Sequence, residues 1–163
     1  MQVYLLRHGI AEEGSIGVSD ADRELTQEGR RKLRQVLLAA AKAGTEPTLI
    51  LSSPLKRAIQ SAEIASDVFK YRGEVLRTKS LSPSASVENV WDEIRVHKGE
   101  DALMLVGHNP LFSDAAAYLL GSKDVQIEFK KGSILRIDFE QISLRPRGIL
   151  RWYLTPKTAG HSD

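Results

Sequence analysis

The stretch "LLRHGIAEEG", residues 5–14, decides how the rest of the chain is read. With Val3 and Tyr4 ahead of it, an unbroken apolar run leads straight into Arg7, His8 and Gly9. An apolar run without alternation is what a strand covered on both faces looks like, as in a parallel sheet sandwiched by helices. Such sheets bind ligands beyond the carboxyl ends of their strands. A guanidinium and an imidazole placed directly after the first strand therefore mark both a fold class and the place to look for chemistry.

Outward from there, the apolar spacing alternates between strand and helix. Thr26 reads as an N-cap, and Leu33, Val36, Leu37, Ala40 and Ala41 recur at helical spacing until Gly44 stops them. Thr48–Leu51 is a second buried strand. Ser53-Pro54 is expected to open a second helix with proline at its first position, carrying Leu55, Ala58, Ile59, Ala62, Ala65 and Phe69 on one face. Glu74–Thr78 is a weaker strand, and Val87, Val90, Trp91 and Ile94 mark a third helix. Ala102–Val106 is another buried strand, followed by a helix over Leu111–Leu120 closed by Gly121. Ser133–Phe139 and Ile149–Tyr153 read as strands joined around Arg145–Gly148. This pattern predicts an α/β three-layer sandwich with a mainly parallel central sheet flanked by helices. Residues 1–156 form a single domain in this reading, and the polar Lys157–Asp163 is a frayed tail.

Composition narrows the function classes. A length of 163 residues suits one domain. The net charge of +2, from 23 basic and 21 acidic residues, offers no extended field, which argues against nucleic acid as a partner. No apolar run approaches the roughly 20 residues of a membrane helix. The absence of cysteine excludes disulfides, thiolate nucleophiles and cysteine metal sites. The start lacks a positive region before its apolar run, so it reads as a strand and not a signal peptide. A cytoplasmic monomer is expected.

Three of the buried strands deliver suggestive residues at the same sheet edge. The first gives Arg7-His8-Gly9, the second gives Ser52-Ser53-Pro54 with Arg57 just inside its helix, and "LMLVGHNP" gives His108 and Asn109. Each alone has a plain structural explanation: a satisfied buried histidine, a salt-bridge arginine, a solvated helix face. Two arginines and two histidines together would repel one another unless an anion neutralised them. Helix starts near residues 54 and 109 would add N–H donors for it. Phosphate is the anion whose oxygen pairs suit arginine forks, and sulfate is its natural stand-in.

Four segments, "LLRHGIAEE", "DRELTQEGRRKL", "ILSSPLKRAIQSAEI" and "LMLVGHNP", together resemble the histidine phosphatase superfamily. The resemblance runs in order from Val3 to about Tyr153. It implies a phosphoglycerate-mutase-like fold, a covalent phosphohistidine intermediate on His8, and a phosphate pocket completed by Arg7, Arg57 and His108. No metal and no cofactor are implied. The chemistry agrees, because a neutral imidazole is a competent nucleophile near neutral pH and cationic side chains stabilise the charge on a transferring phosphoryl group. Arg23 could reach the pocket from the loop before the first helix, or pair with Asp20 or Asp22 instead.

Two absences direct the choice of substrate. Phosphomonoesterases of this family carry a glutamate near residue 80, where this chain has "SLSPSASVEN", and another branch carries aspartate after the second histidine, where this chain has Asn109. A site without a general acid expels an alkoxide poorly, but imidazole leaves more easily. The expected substrate is therefore a phosphohistidine-containing protein, in the manner of the small SixA-type phosphohistidine phosphatases. The alternatives are a broad phosphomonoesterase using Glu12, Glu13 or Glu88 as acid, and a phosphate-binding module without turnover.

Overall fold

The computed structural model describes residues 1–160. Its β1 (Gln2–Arg7), β2 (Leu49–Ser52), β3 (Leu76–Arg77), β4 (Ala102–Gly107), β5 (Ile134–Asp138) and β6 (Ile149–Leu154) form one sheet in the order β3-β2-β4-β1-β5-β6. The β3-β2, β2-β4 and β4-β1 pairs are parallel, whereas β5 runs antiparallel to both β1 and β6. The sheet is thus mixed, with β5 alone reversed, and its parallel half carries the residues singled out above.

Helices cover both faces. On one side α3 (Val87–Val96) and α4 (Leu111–Leu119) pack on Val3, Leu5, Leu103 and Leu105. On the other, α1 (Gln27–Lys42) and α2 (Lys56–Val68) pack on Tyr4, Leu6, Met104 and Val106. Alternate residues of β1 and β4 thus serve opposite layers. That two-sided burial is why neither strand shows a polar alternation in sequence.

Element boundaries differ from expectation at three places. The second helix starts at Lys56, not at Pro54, because Leu55 is still extended (φ −71°, ψ 140°). The expected strand at Glu74–Thr78 shrinks to the two residues of β3 at the sheet edge. The tail expected to fray from Lys157 instead forms a short helix, α5 (Pro156–Ala159), started by a capping box between Thr155 and Thr158 and anchored by the buried Ala159. The remaining tail residues, 161–163, lie outside the described part. No described helix is long and apolar enough to cross a membrane.

Candidate active site

Strand register sets the centre of the site. Arg7 pairs with Gly107 across the β1–β4 ladder, and the His8 N–H donates to the Gly107 carbonyl at 3.0 Å. The residues that follow, His8 and His108, are therefore side by side, with ring centroids 5.1 Å apart. Ser52 lies beside Val106 on the next strand, which brings Ser53 to His108: its Oγ is 2.7 Å from Nε2. Arg57, early in α2, returns from the helix to the same edge. Arg7, His8, Arg23, Arg57, His108 and Asn109 all line one cavity of about 210 Å³, along with Ala11, Asp20, Pro83 and Lys131. The predicted constellation is brought together. A space this size, below the about 300–1,000 Å³ of a typical small-molecule pocket, fits a phosphoryl group and little of what carries it.

Hydrogen bonding defines the state of the nucleophile candidate. His8 Nδ1 is 2.7 Å from the Gly9 carbonyl oxygen, which can only accept, so the proton is on Nδ1 and the lone pair on Nε2. Burial, the largest influence, lowers the His8 pKa to about 3; the Gly9 bond opposes it, while His108, Arg57 and Arg7 reinforce it. His108 is lowered to about 4, first by burial and then by Arg57. Both rings are therefore neutral near pH 7.

The arginines are held from one side and open on the other. Arg7 donates from Nη1 to the Phe129 carbonyl at 2.6 Å. Arg57, only 5% exposed, donates from Nη1 to the Asp20 carbonyl at 2.8 Å and from Nη2 to Asp20 Oδ2 at 3.2 Å. The Nε of each, and His108 Nδ1, are buried with no hydrogen-bond partner among the described residues. Buried donors left unpaired are costly, and a bound oxyanion is the species that satisfies several at once.

The remaining candidates fall out differently. Arg23 does both things foreseen for it: it lines the cavity and pairs with Asp20, with Nε and Nη2 each 2.9 Å from Oδ1. Asp22 is taken by Ser19. Asn109 lines the cavity, but its polar atoms are engaged elsewhere. Its Nδ2 donates to Ser113 Oγ at 2.8 Å and the Phe129 carbonyl at 3.2 Å, and its Oδ1 accepts from Ser113 N. It braces the start of α4 and does not face an anion with free donors. The helix starts expected at residues 54 and 109 lie at Lys56 and Leu111. Glu12 and Glu13 line a neighbouring groove, and Glu88 is exposed in the first turn of α3.

Asp20 is the residue that sequence reasoning missed, seen there only as a partner for Arg23. Desolvation pushes its pKa up, but the Arg23 and Arg57 contacts outweigh it and hold the carboxylate below its usual value. Its place in a short 3-10 turn, far from the RHG and GHNP segments in sequence, carried no periodic signal.

Comparison with known proteins settles the family. The profile of the histidine phosphatase superfamily (branch 1) matches residues 3–82, the half of the chain that carries Arg7, His8 and Arg57. The chain belongs to the histidine phosphatase superfamily. As a member it is a phosphatase. An uncharacterized Picosynechococcus protein is 33% identical over 138 residues, 83% of each chain. Among solved structures, the protein histidine phosphatase SixA complexed with tungstate superposes with a TM-score of 0.84 at 24% identity, covering 96% of this chain and 98% of that one. A SixA protein from Agrobacterium tumefaciens gives 0.80 at 25% identity, covering 95% and 98%. A phosphoserine phosphatase from Entamoeba histolytica gives 0.70 at 15% identity, covering 96% and 98%. The superfamily fold therefore serves more than one phosphoryl carrier, and fold alone does not choose among them.

Proposed function

We propose that this chain is a phosphohistidine phosphatase that removes phosphate from phosphohistidine in proteins through a phosphorylated His8. The observation that carries this reading is the state of the one carboxylate lining the cavity among the described residues. Asp20 is held ionised by Arg23 and Arg57 and has no proton to give. Pro83 lines the wall from the segment where monoester-cleaving relatives supply an acid. An alkoxide leaving group needs a proton in the transition state, and a positioned acid contributes about 10²–10⁴-fold. An imidazole leaving group depends on it far less.

In the first step Nε2 of His8 attacks phosphorus while the P–N bond of a ring-protonated phosphohistidine breaks, its electron pair leaving on the ring nitrogen so that a neutral imidazole departs. Arg7 and Arg57 hold the equatorial oxygens, where charge accumulates. In the second step a water oxygen attacks the same phosphorus and the P–Nε2 bond breaks, returning neutral His8 and releasing phosphate. Solvent takes the water's proton. The short 210 Å³ cavity leaves the carrier outside, which suits a side chain presented by a protein.

The test compares a phosphohistidine peptide with a phosphoserine peptide of the same sequence. The phosphohistidine peptide should be favoured by about 10²-fold or more in kcat/KM, and His8→Ala should abolish turnover and acid-labile, base-stable labelling of the protein. Equal rates on the two peptides would favour the phosphomonoesterase; binding without turnover of either would favour a phosphate-binding module.

A further inference from the structure

A groove of about 560 Å³ opens beside the phosphate cavity, lined by α1, the Glu128–Lys130 segment, the end of β6 and α5. Arg31, Lys32, Lys130 and Lys157 line it, against the single carboxylate of Glu128. The two depressions share a wall. In that wall the Phe129 carbonyl holds Arg7 at 2.6 Å, and Gly132 N donates to the His8 carbonyl at 2.9 Å. Lys131 lines the cavity and its neighbour Lys130 lines the groove. A side chain at Gly132 would meet Pro156 of the groove at 3.8 Å and Gly9 Cα at 3.9 Å. Gly132 thus lies between the groove wall and the backbone that carries His8.

Three of the groove's cations, Arg31, Lys32 and Lys130, pair with carboxylates that are open to water. Arg31 and Lys32 both reach Glu28, at 2.7 and 3.5 Å, and Glu28 is 52% exposed. Lys130 pairs with Glu128, which is 79% exposed. Ion pairs this open to water contribute little and give way readily to a competing carboxylate. A second groove, which shares Arg23 with the cavity, has the other sign: Glu12, Glu13, Asp22 and Glu24 line it with Arg23 and Lys56. A phosphoryl group seated in the cavity is therefore flanked by a cationic side and an anionic side.

We propose that this cationic groove docks an acidic segment of the phosphoprotein substrate. The proposal rests on the phosphohistidine phosphatase reading and extends it to how the carrier is recognised. The cavity reads only the phosphoryl group, so discrimination among carriers falls to the surface around it. Complementary charge at that surface steers encounter and sets orientation.

The experiment uses two phosphohistidine peptides of equal length, one with Asp-rich and one with Asn-rich flanks, and a small phosphoramidate as reference. At low ionic strength the Asp-rich peptide should show a KM roughly 10-fold lower at equal kcat, a difference that shrinks as salt screens it. The double variant Arg31→Glu/Lys32→Glu should abolish the preference, and Arg31→Gln/Lys32→Gln should weaken it. Neither should alter turnover of the phosphoramidate, which also reports that each variant is folded. Absence of a flank preference in the wild type, or a preference that survives in both variants, overturns the groove and leaves the catalytic reading standing. A wild type that does not turn over the phosphoramidate overturns the catalytic reading itself, and the docking role with it.

Discussion

Acid titration tests the neutral nucleophile directly. Both histidine pKa values are depressed in the folded chain, to about 3 for His8 and about 4 for His108, from an ordinary value of 6.5. The unfolded chain therefore takes up protons first. Stability is unaffected above about pH 6.5 and falls as the pH drops below it, until the folded-state values are reached. At about pH 5 each histidine is about 1.5 units below its unfolded pKa, which costs about 2 kcal/mol at 1.36 kcal/mol per unit, or about 4 kcal/mol for the pair. Urea unfolding at about pH 8 and pH 5 should show a loss of that order in the wild type. His8→Gln and His108→Gln should each remove about half of it, because an amide does not titrate. Changes at carboxylates elsewhere are common to all three proteins and cancel. Saturating tungstate should also reduce the loss, since a bound anion offsets the arginine charge and raises both histidine values. A wild type that loses no more stability than a His8→Gln/His108→Gln double variant would refute the argument. His8 would then not be held neutral by its surroundings.

Three further outcomes follow from the geometry. Gly29→Ala should cut activity about 10²-fold and cost about 1–3 kcal/mol, measured by turnover and thermal unfolding; its Cβ would lie 2.1 Å from the Ile10 carbonyl oxygen, two residues beyond His8. Arg57→Ala should lower the rate about 10²–10³-fold by removing donors to the developing charge, and Arg7→Lys should also be damaging because an ammonium cannot reproduce the fork; near-normal rates in both would place the phosphate elsewhere. Asp20→Asn should tighten tungstate binding by roughly 5-fold in calorimetry, because the carboxylate that competes for Arg57 and Arg23 is lost; unchanged affinity would mean that Asp20 does not compete.

Local sequence determined the elements and most of the site. The unbroken run Val3–Leu6, the helical spacing after Thr26 and the run Ala102–Val106 each report burial that short-range periodicity records, and each became the expected element. Arg7, His8 and His108 were legible because they directly follow such strands. Boundaries were less so. Pro54 suits a helix start, yet Ser53 Oγ, which accepts from Leu55 N at 3.3 Å, also meets His108, and Leu55 stays extended before α2 begins.

Only the tertiary structure decided what these residues do to one another. The ionisation of His8 and His108 depends on burial and on Arg57, a residue from a different element that has no fixed spacing from either histidine. Gly29 reads in sequence as a weak point in a helix; in space it is where α1 touches the chain carrying the nucleophile. Asp20 and Asn109 show the same limit from opposite sides. Both line the cavity: Asp20 was overlooked and engages Arg57 there, and Asn109, expected to bind substrate, has its amide engaged with Ser113 and the Phe129 carbonyl. Periodicity records whether a side chain is buried, because burial is a property of its own element. Which atoms share a cavity, and what charge they carry there, depends on the register between elements distant in the chain, and no local pattern encodes that.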